Sequence, residues 1–189
     1  ISGLRASTET VEFYAGYGGG NHLTQYYNAK STRSEADSVT VAAEATTSNI
    51  NAAMDEGGQI AGKVTKFVGG AALEEIEVCA YEEGSSEFEE HCATSDSGGD
   101  YILSGLATGS YKVSFSPTYS CTPTCVTQNY LTQYYNGKSS YAEADTVAVT
   151  VGATASNINA AMHEGGKITG KVTKASGGAA IEDIEVCAR

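Results

Sequence analysis

The chain has 189 residues, of which 23 are acidic and 11 are basic, so its formal net charge is −12. An acidic surface repels a phosphate backbone, which argues against a nucleic-acid partner. No apolar run approaches the roughly 20 residues that span a bilayer, so we expect no membrane insertion.

Apolar and polar residues alternate along several short segments, which is the pattern of half-buried strands. In chain order these segments are Ile60–Val64, Ile76–Ala80, Tyr111–Phe115 and Val147–Val151. Glycine-rich turn signals separate them. Two further segments, 46–56 and 71–78, fit a helix or a strand, and their glycine boundaries and short lengths favour strands. The chain is therefore predicted to be all-β.

An internal repeat organises the chain. Residues Leu23–Tyr81 match Leu131–Arg189 without a gap, and about 40 of these 59 positions are identical. A second block, Ile1–Phe13, matches Leu103–Phe115 at an offset of 102 rather than 108. The six-residue difference is an insertion that carries two cysteines. We interpret the chain as copies of one domain-sized unit.

The phase of the repeat predicts the domain boundaries. Residues 57–164 are one complete unit, 1–56 are the later part of a preceding unit, and 165–189 are the opening part of a following unit. About seven short strands in such a unit is the count of an Ig-like β-sandwich. The absence of an initial Met and of a signal-peptide pattern predicts a mature fragment. Only five residues separate Met54 from Ile60, which is too short for a free linker. We therefore expect successive units to pack at a fixed angle, like beads on a string.

Five cysteines are an odd number, and the repeat accounts for it. Cys79 and Cys187 occupy the same position, but residues 165–189 include no equivalent of Cys92. We predict the disulfides Cys79–Cys92 and Cys121–Cys125, although four cysteines permit three pairings. Cys187 is then unpaired by truncation or bonded to another chain. The alternative is a zinc site, but Cys121 and Cys125 lack a second closely spaced pair of ligands. Disulfides indicate an oxidising, extracellular setting.

Two runs of sequence carry a family resemblance. Gly58–Thr65 and Ser97–Leu106, the latter continuing into Gly109–Val113, resemble carboxypeptidase regulatory-like domains. These are transthyretin-like, Ig-like β-sandwiches related in shape to Cna-B-type surface modules. The resemblance covers essentially the whole chain and implies tandem sandwiches that act as stalks, spacers or fibres of secreted and surface proteins. It implies no catalytic residue, because the regulatory-like domain is not the peptidase.

Other candidate sites favour structural explanations. Tyr111 is predicted to pack its ring in the core and to bond nearby backbone through its hydroxyl. Asp96 and Asp100 could hold Ca²⁺ together with backbone carbonyls, but a solvated acidic face explains the ten acidic residues between 67 and 111 better. We expect no other cofactor. The histidines form no catalytic constellation, because His163 replaces Asp55 between copies of the repeat.

The sequence therefore predicts no enzyme but a structural module of an extracellular filament or cell-surface stalk. Its partners would be copies of itself or adjacent repeats of the same chain, arranged head to tail. In a second version, the tail of one chain completes the head of the next by strand addition. One alternative is an adhesin or carbohydrate-binding module that binds a surface glycan or protein. Another is a non-catalytic appendage of a secreted peptidase. The adhesin would expose an aromatic cluster drawn from Tyr14, Tyr17, Tyr26, Tyr27 and Tyr119.

Overall fold

The structure is a computed structural model that describes residues 1–15, 20–84, 90–121 and 125–187. For residues 90, 119–121 and 125–127 it describes the backbone only. The fold is all-β, as the sequence predicts, with two short 3₁₀ turns at Tyr135–Gly137 and Tyr141–Glu143. We call residues 1–56 the leading segment, residues 57–164 the central unit and residues 165–187 the trailing segment.

The leading segment contains four short strands in two antiparallel pairs. Strand β1 pairs with β4, and β2 pairs with β3. Their bounds are β1 Ser7–Thr10, β2 Glu12–Phe13, β3 Gln25–Tyr26 and β4 Ser38–Val41.

The central unit holds the remaining described strands. They are β5 Gly58–Lys66, β6 Ile76–Glu82, β7 Glu90–Thr94, β8 Asp100–Leu106, β9 Gly109–Pro117, β10 Tyr119–Cys121, β11 Cys125–Thr127, β12 Gln133–Tyr134, β13 Thr146–Val149, β14 Thr154–Ala155 and β15 Ala160–Met162. Strands β10 and β11 form a separate antiparallel pair.

Two sheets make up the body of the central unit. In the first, β6 lies between β7 and β9, and β12 and β13 pair with β9 along its other edge. In the second, β5 is antiparallel to β8 on one side and parallel to β14 and β15 on the other. Strand β7 pairs with β6 alone, so it is an edge strand of the first sheet.

The core lies between these two sheets because alternate residues of each strand face inward. Both sheets contribute large side chains that are almost completely buried. These include Ile60, Val64, Leu103, Leu106 and Met162 from one sheet and Ile76, Val78, Val113 and Phe115 from the other. Tyr111 is also buried, and its hydroxyl donates to the carbonyl oxygen of Ala107 at 3.1 Å. The corner predicted for Tyr111 is therefore present.

Three predicted segments differ from the structure. The strand predicted to reach Val151 ends at Val149, because the chain turns at 151–152. Of the segment 71–78, only the part from Ile76 onward is strand. Residues 46–55 form no strand, whereas their counterparts in the central unit form β14 and β15 by pairing with β5. A strand exists there only where a partner strand is present.

The leading segment repeats the strand registers of the central unit. Ser7 pairs with Val41 as Gly109 pairs with Val149, and the same offsets hold along the whole of that pair of strands. Strands β2 and β3 likewise repeat the register of β9 and β12. The internal repeat of the sequence is therefore also a repeat of backbone pairing.

The trailing segment lacks a sheet. Its one described bridge joins Thr173 to Ala180, and it matches the bridge of Thr65 to Ala72 in the central unit. Within the part of the chain that the structure describes, no helix is long and apolar enough to cross a membrane.

Candidate functional site at the junction between the leading segment and the central unit

One asparagine of the leading segment bonds the residue that precedes β5 and a residue of β8. The Asn21 side-chain amide donates to the Gly57 carbonyl oxygen at 2.6 Å, and its Oδ1 accepts from the Gly105 backbone N–H at 2.9 Å. The Gly57 N–H in turn donates to the Asn21 carbonyl oxygen at 3.0 Å. One backbone bond and two bonds of the Asn21 side-chain amide thus join the leading segment to the central unit.

Two glycines make this close approach sterically feasible. A Cβ atom at Gly57 would lie 2.7 Å from the Gly105 Cα, which is closer than real side chains come. Gly105 also has a φ of +75°, a conformation that costs L-residues free energy. The junction therefore depends on the absence of side chains at both positions.

The bonds between the asparagine and the boundary glycine recur at the other end of the central unit, where the described residues show no equivalent of the bond between Asn21 and Gly105. The Asn129 amide donates to the Gly165 carbonyl oxygen at 2.7 Å, and the Gly165 N–H donates to the Asn129 carbonyl oxygen at 2.9 Å. Leu131 N–H donates to the His163 carbonyl oxygen, as Leu23 N–H donates to that of Asp55. Both boundaries of the central unit thus have the same backbone geometry.

An open groove of about 850 Å³ lies beside the first junction. The leading segment contributes Tyr14 and His22 to its wall, and the central unit contributes Glu77, His91 and Ser104. The described residues contain no group of three His, Cys, Asp or Glu side chains that could hold a metal ion. The groove is a surface feature created by the junction.

The structure joins Cys79 and Cys92 by a disulfide, the pair that the sequence analysis predicts. Their strands, β6 and β7, place them directly opposite each other. Cys187 is a free, exposed thiol. Cys121 and Cys125 are opposite each other in the β10–β11 pair. Their side chains lie outside the described residues, so the second predicted disulfide stays a prediction.

Asp96 and Asp100, the candidate Ca²⁺ ligands, both have partners, Asp96 within the turn and Asp100 on β5. Asp96 Oδ1 accepts the backbone N–H groups of Gly98 and Asp100 at 2.8 and 2.9 Å. Asp100 Oδ2 lies 3.0 Å from the Lys63 ammonium, which also donates to the Gly98 carbonyl oxygen. Glu82 and Glu83 of the acidic run are exposed, whereas 85–89 lie outside the described residues. The two aspartates thus shape the turn before β8.

His163 lies apart from the other two histidines. His163 is exposed and stacks on the Phe67 ring at a centroid distance of 3.8 Å. His22 and His91 line the junction groove from opposite parts of the chain. The glycine-rich run at 16–19 lies outside the described residues, so the structure adds nothing about it.

The three described side chains of the aromatic cluster that an adhesin would expose differ in burial. Tyr26 is buried and Tyr27 half-buried, whereas Tyr14 is exposed. Tyr17 and the Tyr119 side chain lie outside the described residues. In the central unit, Tyr134 packs edge-to-face on Tyr141, and Tyr135 packs against the core. Tyr134 and Tyr135 therefore pack within the central unit, and Tyr26 is not exposed as the adhesin alternative would require.

One buried tyrosine links the two sides of the core. The Tyr101 hydroxyl donates to the Ile158 carbonyl oxygen at 2.6 Å, and its ring packs edge-to-face on Phe115. Burial, with a smaller contribution from Tyr135, raises the pKa of the Tyr101 hydroxyl well above its usual value. This tyrosine is therefore neutral in the folded protein throughout the physiological pH range.

The sequence analysis did not single out Asn21 and Asn129. The signal that could have identified them is their recurrence at the same offset of 108 residues, each 36 residues before the glycine that it bonds. No alternation pattern marks such residues, because their role depends on a contact with a residue that is distant in sequence.

Comparison with known proteins gives no relative from which a role could be inferred. No family model matches the chain, and no curated protein is significantly similar to it in sequence.

Proposed function

We propose that the chain is a structural repeat module of an extracellular filament or cell-surface stalk. In this proposal, tandem Ig-like units of the carboxypeptidase regulatory-like type, each bearing a disulfide, form a semi-rigid rod. No catalytic role and no cofactor are assigned to it.

The observation that carries the proposal is the repetition of the junction. Asn21 with Gly57 and Asn129 with Gly165 form the same bonds at the two boundaries of the central unit. A free linker would leave the angle between units undefined. Direct bonding on both sides instead supports a fixed angle that repeats along the chain.

Three further observations support this role. The registers of the leading segment repeat those of the central unit, as expected for copies of one domain. The Cys79–Cys92 disulfide suits an oxidising environment outside the cell. A net charge of −12 keeps exposed strand edges of neighbouring rods apart.

Small-angle X-ray scattering with the variant Asn21→Ala tests the proposal. The wild-type chain is expected to show one elongated shape, because both junctions are directly bonded. Removing the Asn21 amide leaves the Gly57 carbonyl and the Gly105 N–H without this partner, at a cost of about 1–3 kcal/mol. We expect a broader distribution of interatomic distances in a chain whose central unit is still folded.

The matched control is Asn51→Ala, which removes an exposed asparagine of the same segment. It should leave the scattering curve unchanged. A wild-type chain whose scattering already requires freely jointed units would contradict the proposal.

A further inference from the structure

Strand β7 is an edge strand of the central unit, and it borders the junction groove. Among the described residues it pairs with β6 alone. Its residues from His91 to Thr94 line the groove together with Glu77 of β6. Ile102 and Ser104 of β8 also line it, and β8 pairs with β5 alone in the second sheet. The groove is therefore bordered by two strand edges of the central unit.

The backbone of β7 presents hydrogen-bonding groups on its outer edge. Opposite residues of an antiparallel pair alternate between hydrogen-bonded and non-hydrogen-bonded positions. The Ser95 N–H donates to the Ile76 carbonyl oxygen, so the pairs that involve Thr94 and Cys92 are the non-hydrogen-bonded ones. The Cα atoms of Cys79 and Cys92 are 4.1 Å apart, which agrees with the shorter spacing of such a pair. The N–H and C=O groups of Cys92 and Thr94 therefore point away from β6.

These outward groups are available to a further strand. No other residue in the described part of the chain bonds them, and Thr94 is exposed. At the edge of β8, by contrast, the Gly105 N–H is already bonded to Asn21 Oδ1. The groove volume of about 850 Å³ lies within the range of roughly 300–1,000 Å³ that is usual for ligand sites. The edge of β7 thus has both the bonding groups and the space that an added strand needs.

The charge around the groove indicates which kind of strand fits. The sequence between residues 67 and 111 contains ten acidic residues and no lysine or arginine. Glu77 is exposed in the groove wall and has no ion-pair partner among the described residues. The lining histidines, His22 and His91, are neutral in the net charge at pH 7. A second copy of β7 would bring like charges together, whereas a strand with lysine or arginine would bring opposite charges.

We propose that the outer edge of β7 binds an extended basic peptide, which joins the first sheet as an added strand. Backbone bonds to Cys92 and Thr94 would hold its main chain, and its alternate side chains would point to opposite faces. Glu77 provides opposite charge beside the groove, and the exposed Ile102 provides an apolar contact. The inference goes beyond the proposed function, because it adds a lateral binding site to the rod and does not involve the junction bonds.

The probe is a short synthetic peptide in which lysine and threonine alternate. Two matched peptides separate the contributions of charge and backbone. The first has glutamate in place of lysine. The second keeps the lysines but is methylated at every backbone nitrogen, so that it donates no backbone hydrogen bond. Each of them should bind at least about tenfold more weakly than the probe, because each lacks one of the two complementary features.

Amide hydrogen exchange, followed by NMR on the whole chain, locates the bound peptide. In the free protein the Cys92 and Thr94 amides should exchange faster than those of His91 and Ala93, which are bonded to β6. A saturating concentration of the probe should slow exchange at Cys92 and Thr94 at least about tenfold. Exchange at His91 and Ala93 should change by a smaller factor, so these two amides are the internal control.

Two substitutions test the edge and the charge separately. Thr94→Pro removes an outward N–H without breaking a bond to β6, and it should weaken binding at least about tenfold, whereas Thr94→Val keeps that N–H and should bind like the wild type. Glu77→Gln should weaken binding about twofold to fivefold. Its control is Glu44→Gln, because Glu44 is exposed and lies outside the groove lining. If Thr94→Pro does not fold, the Glu77 variant and the two matched peptides still decide the outcome.

The inference would be overturned by a probe that does not bind or that leaves exchange at Cys92 and Thr94 unchanged. Equal binding of either matched peptide would overturn it as well. Slower exchange at these two amides with rising concentration of the protein alone would identify a second copy as the occupant, and would also overturn it. None of these results bears on the scattering of the Asn21→Ala variant, so the proposed function is tested independently.

Discussion

Residues 58–79 and 166–187 have nearly the same sequence, yet they occupy different states in one molecule. The first forms β5 and most of β6, whose inward residues lie in a continuous core. The second forms a turn closed by a single bridge, and its apolar residues face solvent. The difference lies in the surroundings, since only the first segment has the strands β8, β9, β14 and β15 beside it. Whether such a segment forms a strand therefore depends on its neighbouring strands and not on its own sequence alone.

The comparison can be tested most strongly at two equivalent glycines. We expect Gly62→Val to destabilise the central unit by at least about 3 kcal/mol, because the side chain would overlap the Ile158 carbonyl oxygen and crowd the Tyr101 ring. Gly170→Val should change the stability by less than about 0.5 kcal/mol, because its surroundings are open. Chemical denaturation followed by circular dichroism measures both values in dilute protein.

Equal destabilisation by the two valines would contradict this contrast. It would mean that residues 166–187 are packed as tightly as β5 and β6 within the monomer.

The two equivalent cysteines offer a second test. Cys79 is bonded to Cys92 across 13 residues of sequence, whereas Cys187 is free. Replacing Cys92 by Ser should cost about 3 kcal/mol in the free energy of unfolding, since the disulfide restricts the unfolded chain. Cys187→Ser is the control and should leave the unfolding transition in place. A stability unchanged by Cys92→Ser would show that β7 is already held by its pairing with β6.

A third test concerns Tyr101, which has no counterpart in the leading or trailing segment. Since burial raises its pKa, the folded state keeps the phenol proton under conditions where the unfolded chain loses it. The free energy of unfolding should therefore fall as pH rises above the usual tyrosine value of 10.0. Tyr101→Phe should reduce that decline, and at neutral pH it should cost about 1–3 kcal/mol through the lost bond to Ile158.

Denaturation at a series of pH values measures this effect. Tyr14→Phe is the control, because Tyr14 is exposed and should retain the wild-type pH profile. A Tyr101→Phe variant with an undiminished decline above pH 10 would assign the decline to other groups.

The sequence predicted those parts of the fold that have one buried and one exposed face. Val113 and Phe115 of β9 face the core and alternate with Ser114 and Ser116, so the strand was readable from the sequence. The Cys79–Cys92 disulfide was also predictable, because Cys187 repeats Cys79 in a part of the chain that has no equivalent of Cys92. The strand predicted at 46–56 was wrong because its counterpart is held by β5, and no local pattern shows whether such a partner is present.

The junction was harder to predict for a different physical reason. Asn21 acts by bonding two backbone groups that are far from it in sequence, at Gly57 and Gly105. An amide of this kind leaves no periodic signature. Only the recurrence of the same residue at Asn129 points to it.

The parallel pairing of β5 with β15 has a mechanical consequence. The polypeptide enters the central unit at the start of β5 and leaves it after β15, and these strands run side by side in the same direction. Tension applied through the flanking segments pulls the two strands in opposite directions along their common length. Their hydrogen bonds are then loaded together in shear rather than opened one after another. We therefore expect the central unit to resist stretching along the chain, with the β5–β15 contact as the first point of failure.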